Sequence, residues 1–110
     1  MRLEETVLGF PITARLARLD DGVSVLLTGG SRTHVGAVTV AHPEGGLETV
    51  RVPGHKDHLV SEPWAAALRD RTGQRAAVTC GIHYDNASRE DIREILSAAD
   101  RMLSLLLAGL

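Results

Sequence analysis

Residues 12–30 read ITARLARLDDGVSVLLTGG, and the fold turns on how this stretch pairs. Ile12, Ala14 and Leu16 alternate with Thr13 and Arg15, the two-residue period of a strand with one buried face, and the strand runs to about Leu19. Asp20-Asp21-Gly22 supplies a tight turn, because glycine adopts positive φ freely and aspartate tolerates it. Val23, Val25 and Leu27 then alternate with Ser24 and Leu26 until Gly29-Gly30-Ser31 interrupts the pattern. Two alternating runs joined this way form an antiparallel hairpin. Further along, His34 to His42 is rich in valine and small residues and reads as a third strand. Pro43-Glu44-Gly45-Gly46 turns the chain, and Leu47 to Val52 is a fourth strand. The first half is expected to be an antiparallel meander.

The second half adds helices. Ser61 to Thr72 reads as a helix closed by Gly73. Asp57 would cap a longer helix, but Pro63 would then lie inside it and remove a backbone hydrogen bond; with Ser61 as N-cap, Pro63 sits in the tolerant first turn. Gln74 to Ile82 is a fifth strand, with Val78, Cys80 and Ile82 on one face. Ser88 and Asp91 have capping-box spacing, with Asp in place of the usual Glu. Ile92, Ile95, Leu96, Ala99, Met102, Leu103 and Leu106 follow as an i, i+3, i+4 stripe that needs a sheet to cover it. The expected fold is therefore α+β: a single domain over residues 1–110, with a mostly antiparallel sheet of about five strands and two helices packed on it. Both helices on one face leave the other exposed, with Ala14, Ala37 and Val40 expected there, so a two-fold homodimer is expected. Leu103 to Leu110 is apolar nearly all round, which either buries it or leaves a strip for a partner.

Composition limits the function. At 110 residues and 44% hydrophobic, the chain can hold a core without disulfides, and its single cysteine allows no internal one. A net charge of -2 supplies no basic excess for phosphates along a nucleic acid. Aromatic residues are too scarce, at 3%, for base stacking. No apolar stretch approaches the ~20 residues of a membrane span, and no charged-then-apolar leader opens the chain, so a cytoplasmic protein is expected.

Strand parity locates the chemistry. If the second strand ends at the top of the sheet, at Gly29-Gly30, the third must start there. The fourth then ends at the top at Pro53-Gly54-His55-Lys56. A 12-residue helix spans ~18 Å, comparable to a strand, and returns the chain to the bottom. The fifth strand climbs again to His83-Tyr84-Asp85-Asn86. Three polar, glycine-bearing segments thus converge on one rim, whereas the bottom turns hold only turn chemistry. Lys56, the chain's only lysine, and Arg32 suit a phosphate or carboxylate, with His34, His55 and His83 as further donors. Gly29-Gly30 can offer backbone N–H groups to an anion. Each piece has a plain alternative as turn or packing residue; their convergence favours a small-ligand or anion site. Three histidines plus Asp85 would also make a metal site, but tight pair spacing is missing, His55 and His58 only loosely approach it, and no metal is expected. Cys80 and His83 are three apart on a strand and point to opposite faces, so they form no catalytic pair; Cys80 and Trp64 read as core.

The same segments resemble a known family. Thr28-Gly29-Gly30 with His34-Val35-Gly36-Ala37-Val38, then Pro53-Gly54-His55-Lys56, then Gly81-Ile82-His83-Tyr84-Asp85-Asn86-Ala87 are similar in order and spacing to the small bacterial and archaeal proteins related to the prenylated-flavin chaperone that accompanies gallate decarboxylase. The resemblance spans nearly the whole chain; Pro63 departs from it, where a regular helix is expected. It implies a fold similar to eukaryotic proteasome-assembly chaperones, a homodimer, and non-catalytic binding of reduced prenylated flavin mononucleotide (FMN) for delivery to an apo-decarboxylase of the UbiD type. The implied cofactor-binding residues are Gly29, Gly30, Arg32, His34, Gly54, His55, Lys56, His83, Asp85 and Asn86. Asp85, an acceptor only, would orient His83 or accept from flavin N–H groups. Two other readings stand beside this one: a ligand-free assembly or scaffold protein, and a metal-dependent enzyme using the histidine-rich rim.

Overall fold

The computed structural model describes every residue from Met1 to Leu110. The chain order is β1 (Arg2–Val7), β2 (Phe10–Leu19), β3 (Gly22–Gly30), β4 (Ala37–Ala41), β5 (Leu47–Arg51), α1 (His58–Thr72), β6 (Ala76–His83) and α2 (Arg89–Ala108). The six strands form one sheet in the order β1-β2-β3-β6-β4-β5. The α+β, mostly antiparallel architecture with two helices is as expected, with one more strand.

That extra strand, β1, forms a hairpin with β2 in which Val7 faces Phe10. Its turn residues Leu8 and Gly9 both take positive φ, 52° and 84°, as the favoured two-residue hairpin turn requires. The larger correction concerns the meander. β3 pairs not with β4 but, in parallel, with β6, and β4 pairs antiparallel with the far side of β6. The physical reason is charge. Residues 76–82 of β6 carry none, so this strand tolerates burial on both sides. The edge strands β1 and β5 carry Arg2, Glu4, Glu5, Glu48 and Arg51, which blunt an exposed edge. The β3–β4 connection, residues 31–36, therefore has to cross over the end of β6.

One face of the sheet holds the core. Ile12, Ala14, Leu16, Val23, Val25, Leu27, Val78 and Cys80 pack against Val60, Trp64, Ala65 and Leu68 of α1 and Ile95, Ala98, Ala99, Met102 and Leu106 of α2. Ala14 and Ala37 belong to this buried face and not to the open one; Val40 alone of the three faces outward, since Ala37 stands opposite Cys80. The uncovered face carries a cross-strand row of Leu26, Thr79, Val38 and Val50, with Ser24, Ala77 and Val40 beside it.

α1 begins three residues earlier than Ser61, at His58, with Asp57 in the N-cap position and Pro63 inside the helix. The carbonyl that Pro63 cannot bond is that of Leu59, an exposed residue in the first turn. α2 has the expected cap: Asp91 N–H donates to Ser88 Oγ and Ser88 N–H to Asp91 Oδ2, both at 3.0 Å. No helix is long and apolar enough to cross a membrane.

Candidate functional site

The crossing of residues 31–36 over β6 builds the site. Gly36 N–H donates to Cys80 O at 2.9 Å, which pins the crossing chain to β6. A Cβ at Gly81 would lie 1.5 Å from His34 O, so glycine is what permits the approach. His34 is thereby laid beside the top of β6. Its ring centroid is 4.4 Å from that of His55, which follows β5, and 6.2 Å from that of His83, which ends β6. Three histidines separated by up to 49 positions stand in one cluster at the end of the sheet where Gly30 is paired with His83.

Asp57 organises this cluster, and sequence reasoning treated it only as a possible helix cap. Its side chain makes no capping bond to α1. It turns inward, 7% exposed. Ile82 N–H donates to Oδ1 at 2.9 Å, the Cys80 thiol approaches the same oxygen at 3.7 Å, and His34 Nε2–H donates to Oδ2 at 3.0 Å. A Cβ at Gly36 would fall 1.8 Å from Oδ2, so this glycine keeps the space that the carboxylate occupies. Burial, then the charge of Asp57, pushes the Cys80 thiol far above its ordinary range, which makes it a structural residue and not a nucleophile.

On the outer side of the cluster, His83 Nε2–H donates to Asp85 Oδ1 at 2.9 Å and Ser31 Oγ–H donates to Oδ2 at 3.2 Å. These two donors, His83 first, hold the exposed Asp85 carboxyl below its usual range. Tyr84 is turned the other way. Its hydroxyl donates to Val7 O at 2.8 Å, tying the end of β6 to the β1–β2 hairpin.

Beside the cluster, between α1, α2 and the top of β6, lies an open cleft of about 290 Å³. Its polar end is Gly54, His55, Lys56, Asp57 and His83, and its walls include Leu59, Val60, Ile82, Ile92, Ile95 and Leu96. Ile92 and Leu96, expected in the core stripe of α2, are instead substantially exposed here. Lys56 is exposed and has no ion-pair partner, which leaves its ammonium free at the cleft mouth.

Of the residues expected at the rim, His34, His55 and His83 come together, and Gly54, His55, Lys56 and His83 line the cleft. Arg32, Asp85 and Asn86 lie outside it, with Asn86 at φ 54° in the turn after β6. Gly29 and Gly30 belong to β3. A Cβ at Gly29 would meet Ile12 at 2.7 Å and one at Gly30 would meet His83 O at 1.9 Å, so sheet packing already demands both glycines.

The chain is similar to known proteins in sequence and in fold. The chain is 28% identical over 89 residues to Protein LpdD of Lactiplantibacillus plantarum, a match covering 76% of this chain and 65% of that protein's length. A chain in the crystal structure of a novel chaperone complex for yeast 20S proteasome assembly has the same fold, with a TM-score of 0.54 at 14% identity over 96% of this chain and 94% of that one. Residues 6–110 match the model of the prenylated flavin chaperone LpdD-like domain, and the chain belongs to that family.

Proposed function

We propose that this protein is a non-catalytic chaperone that binds reduced prenylated flavin mononucleotide and hands it to an apo-decarboxylase of the UbiD type. The observation that carries this reading is the cleft. It sets an unpaired lysine and two histidines at one end of an aliphatic trough, which suits a ligand with an anionic group and an apolar body. Lys56 takes the phosphate as a flexible point charge, with Arg32 reinforcing the positive field of the rim. His55 and His83 donate to polar groups of the ligand, and Asp85 fixes the His83 ring. An open cleft of this size encloses part of such a ligand and leaves the rest for the client enzyme, which favours release. No activated nucleophile stands at the site, since Cys80 is buried and protonated.

The functional unit in this reading is a homodimer in the cytoplasm. The open sheet face supports it: across the central strands the outward row Leu26, Thr79, Val38 has no charge, and Val50 continues it with 72% exposure. Two copies stacked on that face would bury it.

Anaerobic titration with the reduced cofactor tests the reading. Losing a charge-assisted contact costs about 1.5–3 kcal/mol, roughly ten- to hundred-fold in affinity. Lys56→Ala should weaken binding by that factor with folding unchanged. Equal binding by both proteins would remove the phosphate from Lys56, and no binding by the wild type would leave the ligand-free assembly protein as the better reading.

A further inference from the structure

We infer that His34, His55 and Asp57 form a binding site for a divalent first-row cation, zinc being the natural probe, at the base of the cleft. One ligand atom from each of these residues lies within 4.8 Å of the others. Two imidazoles with one carboxylate are a borderline donor set, the type that selects zinc, cobalt or nickel over magnesium or calcium. This set differs from the three histidines plus Asp85 weighed from the sequence: Asp85 is bonded to His83 and Ser31 and lies outside the group, whose carboxylate is Asp57.

Three independent features go beyond a chance cluster. Asp57 occupies a helix N-cap yet gives its side chain to none of the helix N–H groups. Its Oδ1 is fixed by Ile82 N–H and the Cys80 thiol, and its Oδ2 is left pointing at the histidines. Metal-binding carboxylates are oriented by outer hydrogen bonds of this kind. The second feature is charge. The only ion-pair partner of this buried carboxylate is His34; no lysine or arginine reaches it. The third is His55, whose ring centroid stands 4.4 Å from that of His34 and whose ring nitrogens make no side-chain hydrogen bond, so that one of them is available to a cation. A cation among the three side chains would take up the negative charge and draw on one lone pair from each imidazole, the His34 proton moving from Nε2 to Nδ1. Because His55 and Asp57 both line the cleft, its open coordination position would face a bound ligand or water.

This site does not depend on the flavin reading, and its test uses no flavin. The full-length protein, stripped with a chelator and dialysed, is titrated with zinc chloride by calorimetry, and cobalt replaces zinc for visible spectroscopy. The expected result is one zinc per chain, d–d absorption bands from bound cobalt, and at least a ten-fold loss of zinc affinity in His55→Ala. His55 is half-exposed and donates no side-chain bond, so this variant keeps its fold and serves if Asp57→Asn does not. His42→Ala, altering a histidine at the opposite end of β4, should leave the affinity unchanged. Absence of stoichiometric zinc binding, equal binding by wild type and His55→Ala, or loss of binding in His42→Ala would each overturn the assignment.

Discussion

Asp57→Ala tests whether the buried carboxylate organises the rim. The substitution leaves three groups without their acceptor: Ile82 N–H at 2.9 Å, His34 Nε2–H at 3.0 Å and the Cys80 thiol at 3.7 Å. Leaving buried N–H donors without an acceptor costs about 1–3 kcal/mol each, about 3–5 kcal/mol for the two together. For a domain of this size, each kcal/mol lowers Tm by roughly 4 °C, so the loss amounts to roughly 12–20 °C. Asp57→Asn separates charge from shape. The amide oxygen still accepts from Ile82 N–H, and its NH2 donates to His34 once the ring carries its proton on Nδ1. Only the charge-assisted part of the bonds is lost, about 1–2 kcal/mol. Urea unfolding followed by circular dichroism, with a chelator present so that metal linkage does not contribute, measures both variants. A cost below about 1 kcal/mol for Asp57→Ala, or equal costs for the two variants, would refute the organising role of the carboxylate.

Gly30→Ala should destabilise by about 2 kcal/mol or more, because φ is 87° and the new Cβ would stand 1.9 Å from His83 O; thermal unfolding reads it, and an unchanged Tm contradicts the close approach. Cys80 should resist a disulfide-exchange reagent at pH 8 in the native protein and react once the chain is unfolded in guanidinium, since burial raises its pKa; rapid stoichiometric labelling of the native state would contradict this. Leu26→Arg places a charge within the uncovered row, and light scattering should find a monomer where the wild type is a dimer, with the circular dichroism of both alike; a monomeric wild type ends the dimer proposal.

The strands that alternate cleanly were legible because one of their faces is buried and the other is not. Ile12, Ala14 and Leu16, and then Val23, Val25 and Leu27, lie in the core as their period requires. β1 escaped notice because Arg2, Glu4 and Glu5 give it the composition of a solvated segment, and its turn is Leu8-Gly9, where Leu8 takes a φ that leucine rarely adopts. The position of β6 is a different kind of omission. Pairing with β3 between residues 53 positions apart leaves no local trace; only the uncharged run from Ala76 to Ile82 hints that this strand belongs in the middle of the sheet. Strand direction, by contrast, depends on the number of reversals and not on which strands are neighbours. The convergence of His34, His55 and His83 on one rim therefore survived a wrong strand order. Asp57 could not be recovered the same way, because its meaning comes from the strand order itself. An aspartate at the start of a helix reads as a cap until β6 enters the sheet between β3 and β4. Residues 31–36 must then cross the end of β6 and deliver His34 to the carboxylate. The crossing that hid Asp57 from sequence reasoning is thus the device that assembles the site. A site built by that crossing depends on Gly36 and Gly81 as much as on its polar residues, since a Cβ at either would fall within 2 Å of Asp57 Oδ2 or His34 O.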